Sequence, residues 1–136
     1  MAAPDPKPDP NNDPLLAPMK GADTRVVGGV QVDVVRAGSG RIKRVIYQPG
    51  FRWSTHMKGQ VTTDLCMHAH VGFIARGRIH IDYPDGTTLE FAAPQVVAIE
   101  PGHDGYVVGD EPAVLIEVDF EGQTAERFGM TGRRRP

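Results

Sequence analysis

Short stretches of β-branched and apolar residues, separated by turns, recur along this 136-residue chain. The clearest turns lie at Pro49-Gly50, Pro84-Asp85-Gly86 and Pro101-Gly102. Proline cannot donate to a β-ladder and glycine tolerates positive φ, so these pairs end strands and begin turns. Gly77 interrupts the long apolar stretch from Val71 to Tyr83, where we expect a bend. Strands at ~8–12-residue spacing, with no helical periodicity between them, predict an all-β sandwich or barrel.

The first 20 residues differ from the rest, because they carry six prolines interleaved with Asp and Asn. Proline fixes φ and removes an amide donor, so this arm forms neither a helix nor an interior strand. We expect a disordered proline-rich arm over residues 1–20, a β-barrel over residues 21–123 and a C-terminal tail over residues 124–136.

The composition argues against several classes of protein. A formal net charge of -2 gives no global field that would attract nucleic acid. Cys66 is the only cysteine, so no internal disulfide can form and a reducing compartment fits. No run approaches the ~18 apolar residues needed to cross a bilayer, and the N-terminus lacks an apolar core of signal-peptide length. We therefore expect a cytoplasmic protein whose partner is a small molecule, not nucleic acid or a membrane.

Four of the five histidines lie in or beside the predicted strands. They are His56, His68, His70 and His103. Uncharged imidazole is the commonest metal ligand near neutral pH. Three or four of these side chains converging inside a barrel would form a metal site, and Asp104 could then orient the neighbouring imidazole.

The spacing around these histidines resembles the first cupin motif, which runs Gly, five residues, His-x-His, three or four residues, Glu, six residues, Gly. Five residues separate Gly50 from His56, and six separate His70 from Gly77, so His70 takes the glutamate position. The sequence departs from the motif where Lys58 replaces the second histidine and an insertion follows.

The second cupin motif runs Gly, five residues, Pro-x-Gly, two residues, His, and the segment from Pro101 to Asp104 is similar to it. Here the histidine directly follows Gly102, and Gly105 occupies the usual place of the histidine. The sequence therefore resembles a small single-domain cupin of a divergent subgroup, over roughly residues 40 to 120.

This resemblance implies a double-stranded β-helix, the jelly-roll barrel of two packed antiparallel sheets. It implies one divalent metal ion (Zn, Fe, Mn, Ni or Cu) held by His56, His70 and His103, with open positions for water or substrate. His68 shares the strand parity of His70, so it is either a fourth ligand or an exposed loop residue. Cys66 shares that parity too, and is a ligand, a packing residue or a redox-labile group near the cation. Cupins commonly pair edge strands, which implies a homodimer.

Three functions remain open on the sequence. The first is a metal-dependent enzyme of dioxygenase, isomerase or decarboxylase type acting on a small molecule. The second is a non-catalytic module that binds a small ligand or a metal. The third is epimerase-like carbohydrate chemistry without metal, with a His base and a Tyr acid, which needs a His–carboxylate pair beside a tyrosine. The catalytic residues are unassigned, because Asp64, Glu100 and Glu117 cannot be distinguished from surface charge.

Overall fold

The structure, a computed structural model, describes residues 13–120 of the chain. The predicted tail and the first twelve residues of the predicted arm lie outside the described residues. Within 13–120, no helix is long and apolar enough to cross a membrane. The elements of that range are β1 (Asp23–Val27), β2 (Val30–Ala37), β3 (Gly40–Tyr47), α1 (Trp53–His56), a 3₁₀ turn (Lys58–Gln60), β4 (His70–Arg76), β5 (Arg78–Asp82), β6 (Thr88–Ala92), β7 (Gln95–Ile99), β8 (Asp104–Val108) and β9 (Ala113–Phe120).

The strands form two antiparallel sheets. Six strands make the larger sheet in the order β1-β2-β3-β9-β4-β7, and three make the smaller sheet in the order β6-β5-β8. The core includes Ile74, Val97 and Leu115 from the larger sheet and Ile79 and Ile81 from the smaller one. Inward-facing residues alternate with more exposed ones along β5, as expected for a strand that covers a core with one face. The predicted all-β jelly-roll barrel is confirmed.

Gly77 carries the chain from the larger sheet to the smaller one, between β4 and β5. Its φ of +80° lies in the left-handed region, which glycine adopts without a Cβ clash. A Cβ at this position would also lie 2.5 Å from the carbonyl oxygen of Pro112. The predicted bend in the long apolar stretch is therefore present, and it divides that stretch between two sheets.

The segment after Pro49-Gly50, where His56 was expected in or beside a strand, instead forms the short helix α1. The amides of Thr55 and His56 donate to the carbonyl of Arg52 at 3.1 and 2.9 Å. The amide of Ser54 donates to Oδ1 of Asp104 at 3.0 Å. Asp104 therefore fixes this helical turn and does not orient the imidazole of His103 as predicted.

Residues 13–20, assigned to the arm, pack against the larger sheet through a buried arginine. The guanidinium of Arg44 pairs with the carboxylate of Asp33 at 2.8 Å, and both side chains are almost fully buried. The same guanidinium donates to the carbonyls of Leu15 and Ala17, at 3.3 and 2.6 Å. Arg44 thereby connects this segment to β2 and β3.

The substitution Asp33→Ala tests the contribution of this buried ion pair. It would leave the Arg44 guanidinium buried without its carboxylate, a loss that costs about 3–5 kcal/mol of unfolding free energy. The matched control is Asp119→Ala, because Asp119 pairs with Arg41 where both side chains are well exposed. Exposed pairs contribute at most about 1 kcal/mol. Denaturant unfolding measures both variants, and equal destabilisation would contradict this account.

Candidate metal centre

A short backbone pairing brings Cys66 and His103 face to face. The amide of Cys66 donates to the carbonyl of His103 at 2.8 Å, and the amide of Gly102 donates to the carbonyl of Cys66 at 2.7 Å. These bonds form an isolated antiparallel bridge between the segments that precede β4 and β8. Residues directly opposite in such a pair direct their side chains to the same face. Both side chains are buried and line the same cavity.

His70, the first residue of β4, completes a group of three potential metal ligands. Its Nε2 lies 3.7 Å from Sγ of Cys66. One donor atom from each of Cys66, His70 and His103 lies within 4.8 Å of the other two, and all three residues are buried. Thiolate sulfur and imidazole nitrogen are the donors that Zn prefers, and that Fe, Ni and Cu accept.

The second ring nitrogen of each imidazole is already engaged. Nδ1 of His70 donates to Oε1 of Glu117 at 2.8 Å, and Nδ1 of His103 donates to the carbonyl of Glu100 at 2.6 Å. A carboxylate or carbonyl on Nδ1 orients a metal-ligating histidine and leaves the Nε2 lone pair for the ion. The hydrogen bonds on both Nδ1 atoms are therefore compatible with metal binding through Nε2.

Glu117 reaches His70 because of the register between β9 and β4. Glu117 is paired with Gly72, and His70 lies two residues from Gly72 on the same face. The strands approach so closely that a Cβ on Gly72 would lie 2.0 Å from the carbonyl oxygen of Ile116. Glycine at position 72 thus permits the approach that places a 3%-exposed carboxylate beside His70.

Mutual hydrogen bonds shift the pKa values of Cys66 and His70 in opposite directions. Burial raises the pKa of the Cys66 thiol, but hydrogen bonds from His103 and His70 outweigh burial and lower it to about 6. Burial lowers the pKa of His70, but hydrogen bonds to Cys66 and Glu117 outweigh it and raise it to about 9. These interactions favour the thiolate, which is the form of cysteine that binds metals.

His56, predicted as a ligand, does not join this group. In α1 its Nδ1 accepts a hydrogen bond from the amide of Arg52 at 3.1 Å, and its ring stacks on Phe51 with centroids 5.5 Å apart. The side chain is exposed. Of the predicted set of His56, His70 and His103, the structure therefore brings His70 and His103 together, with Cys66 and not His56 as their third neighbour. The helical turn that ends at His56 is the cause, since it directs the ring to its own backbone.

His68 lies on the other side of His70, where it is 53% exposed. Its Nε2 is 3.8 Å from Oε1 of Glu117 and 3.3 Å from Nζ of Lys43. It precedes β4, so strand parity does not fix its direction. His68, His70 and Glu117 form a second group of possible ligands, but the ammonium of Lys43 beside it opposes a cation there. Of the two alternatives for His68, the structure therefore favours the exposed loop residue.

The sequence contained a signal for Cys66 but none for Glu117. Three residues separate Cys66 from His70, the spacing that the first cupin motif places between its second histidine and its glutamate. Cys66 thus occupies the position of that second histidine when the motif is aligned on His70, whereas Lys58 occupies it when the motif is aligned on His56. Glu117 differs from the other acidic residues only through the register of β9 against β4, which cannot be read from the sequence.

The three donors face a cavity of about 290 Å³ between the two sheets. Most of its wall is apolar, with Val45 and Leu115 from the larger sheet and Ile79, Ile81 and Val107 from the smaller one. Trp53, the only tryptophan, lines it as well and belongs to the buried core. A cavity with convergent polar groups at an apolar wall is the usual form of a small-molecule site.

No family model matches the sequence, and no curated protein matches it significantly. Solved structures do. A cupin-2 domain protein of Rhodospirillum rubrum has a TM-score of 0.54 at 19% identity, covering 77% of this chain and 73% of that one. A Cupin 2 conserved barrel domain protein of Salinispora arenicola has a TM-score of 0.52 at 20% identity, covering 82% and 92%.

An oxalate decarboxylase of Lactobacillus farciminis, in complex with formate, has a TM-score of 0.51 at 16% identity, covering 78% of this chain and 32% of that one. At such identities a likeness shows the fold alone. The chain has the cupin fold, and the resemblance seen in its motifs is confirmed at that level.

The reactivity of Cys66 in metal-free protein tests the arrangement of the site. Alkylation by iodoacetamide requires the thiolate, so the rate should reach half of its plateau near pH 6 and fall below that pH. An ordinary thiol would give a midpoint of about 8.5. His70→Ala removes one of the hydrogen bonds that stabilise the thiolate, so its midpoint should rise. The control His56→Ala should leave the midpoint unchanged, and a wild-type midpoint above pH 8 would contradict the arrangement.

Proposed function

We propose that this protein is a small metal-binding cupin that holds one divalent ion through Cys66, His70 and His103 and uses it to act on a small molecule. The observation that supports this most strongly is the buried group of three donors within 4.8 Å of one another, beside a cavity. Three protein ligands leave coordination positions open, which is typical of catalytic and not of structural metal sites.

The donor set narrows the metals that the sequence left open. One thiolate and two imidazoles suit Zn, Fe, Ni or Cu, whereas Mn favours carboxylate and water oxygens. Glu117, whose Oε1 accepts the Nδ1 proton of His70, lies outside the group of Cys66, His70 and His103. We therefore propose Zn, Fe, Ni or Cu and not Mn.

The residues around the ion have separable tasks in this proposal. The ion would act as a Lewis acid on a substrate oxygen or, if it is redox-active, bind O₂ beside the substrate. Glu117 holds the ring of His70 in place, and the carbonyl of Glu100 does the same for His103. The apolar wall limits the water that can reach the reacting atoms. A dioxygenase, isomerase or decarboxylase reaction would each use these parts.

Metal content is the direct test of the ligand set. Tag-free wild-type protein should carry close to one metal ion per chain, measured by elemental analysis after dialysis. Cys66→Ser, His70→Ala and His103→Ala each remove one donor and should lose most of that metal. His56→Ala is the matched control, because this exposed histidine lies outside the donor group. Metal loss in His56→Ala with retention in Cys66→Ser would restore the ligand set expected from the sequence and overturn the proposal.

Glu117→Gln tests the support of His70 separately from ligation. An amide accepts the Nδ1 proton less strongly than a carboxylate, and loss of such a partner typically weakens metal binding about 10- to 100-fold. The control is Glu90→Gln, which changes a carboxylate beside the surface residue His80, at 3.4 Å. Competition with a chelator measures both affinities. Equal affinities of the two variants would show that Glu117 does not support the site.

A second candidate function is acid–base chemistry without metal. The His70–Glu117 pair at 2.8 Å supplies an acid–base imidazole with its orienting carboxylate, and Tyr47 lines the same cavity. With its pKa raised to about 9, the imidazole would donate a proton at neutral pH and act as a base only at higher pH. Burial and the charges of Glu117 and Cys66 raise the pKa of Tyr47 well above its usual value, so it would remain a proton donor. Turnover by protein free of metal, retained in Cys66→Ser, would support this candidate over the first.

A further inference from the structure

The charged and metal-ligating side chains that line the cavity form one continuous patch, which does not include the two tyrosines and the tryptophan of the wall. Cys66, His70 and His103 lie together, and His70 contacts Glu117. Glu117 in turn lies near His68, which is beside Lys43. Nearly all of the remaining wall is hydrocarbon or aromatic. The cavity therefore has one polar side and an apolar interior.

We propose, on the basis of the metal site proposed above, that the substrate is a small amphiphile. It has one metal-binding head group on an apolar body the size of a single substituted ring or a short branched chain. The head group faces the ion at Cys66, His70 and His103, and the body fills the space between the two sheets. This assigns a substrate class that neither the fold nor the donor set specifies.

The volume of the cavity sets the size of the body. An apolar cavity of about 150 Å³ is sufficient for benzene. The volume of about 290 Å³ is roughly twice that value and must also accommodate the head group and the ion. One ring with substituents fits, whereas a nucleotide or an oligosaccharide does not.

The charges of the wall exclude a second anionic group on the substrate. Lys43 is the only lysine and no arginine is present among the described residues that line the cavity. Burial of a carboxylate without a cation is costly. A second carboxylate at the far end of the body, for example para to the head group on an aromatic ring, would be buried against the hydrocarbon wall without a cation. The site therefore favours a single polar end.

Tyr47 is placed to assist the head group. Its side chain lines the cavity close enough to Cys66 and Glu117 for their charges to act on it. Tyr47 is partly buried, and among residues 13–120 its hydroxyl makes no hydrogen bond, so a ligand in the cavity could accept one from it. We assign Tyr47 as a positioning residue that donates a hydrogen bond to the head-group oxygen.

Two hydroxamates with the same head group and different bodies test the substrate class. The full-length, metal-loaded protein is titrated with benzohydroxamate and with acetohydroxamate, and metal content is measured again after the titration. The phenyl body adds apolar burial, so benzohydroxamate should bind on the order of 10-fold more tightly or better. Equal affinities, or tighter binding of 4-carboxybenzohydroxamate than of benzohydroxamate, would overturn the proposal.

Variants separate the body from the head group. Val32→Phe introduces a ring at a position that lines the cavity, so it should weaken benzohydroxamate and leave acetohydroxamate nearly unchanged. Val96→Phe, at a 73%-exposed position outside the cavity, should change neither. Tyr47→Phe should weaken both hydroxamates about three- to tenfold, the effect of one hydrogen bond. If Val32→Phe does not alter the preference between the two probes, the body does not bind in this cavity.

Indole, which lacks a metal-binding head group, distinguishes failure of the substrate class from failure of the proposed metal site. It should bind metal-free wild-type protein, and Tyr47→Phe should not affect it. If the protein takes up no metal but binds indole, the metal site is overturned, whereas binding of an apolar body in the cavity is supported. Metal uptake without indole or benzohydroxamate binding would leave the metal site in place and overturn the substrate class.

Discussion

The hydrogen bond between His70 and Glu117 determines how the candidate site is arranged. It joins the first residue of β4 to β9, the strand between β4 and β3 in the larger sheet. A buried carboxylate is tolerated in a barrel core only when it is paired, and the imidazole is its partner. The same bond fixes which ring nitrogen of His70 faces Cys66. The backbone bridge between Cys66 and His103 then places the other two donors close to that nitrogen. The register of β4 against β9 and this bridge together define the position of all three donors.

Much of the fold was predictable, because turn residues act locally. Pro49-Gly50 and Pro101-Gly102 end strands wherever they occur, and only glycine adopts the φ of Gly77 without strain. The helix α1 was not predictable, since it depends on a contact with Asp104, about 50 positions away in sequence. The arm was expected to be disordered throughout, yet Arg44 binds the carbonyls of Leu15 and Ala17. The homodimer and the cytoplasmic location remain predictions.

The site was predictable only in part, because ligands are defined by distance and the sequence gives spacing. His70 was identified from motif spacing and His103 from its place beside Pro101-Gly102, and the structure brings them together. His56 matched the motif equally well but lies in a helical turn that directs its ring away. Cys66 had both the parity and the spacing of a ligand, yet a lone cysteine in a β core is more often inert. Glu117 required the register of β9 against β4, a long-range property that no local pattern encodes.

X-ray absorption at the edge of the bound metal tests the central claim most directly. A metal held by Cys66, His70 and His103 should show one sulfur scatterer, at about 2.3 Å for Zn, together with two imidazoles at about 2.0–2.1 Å. In Cys66→Ser protein that still retains some metal, the sulfur shell should disappear while the imidazole signal persists. A wild-type spectrum with three imidazoles and no sulfur would contradict the account and return His56 or His68 to the site.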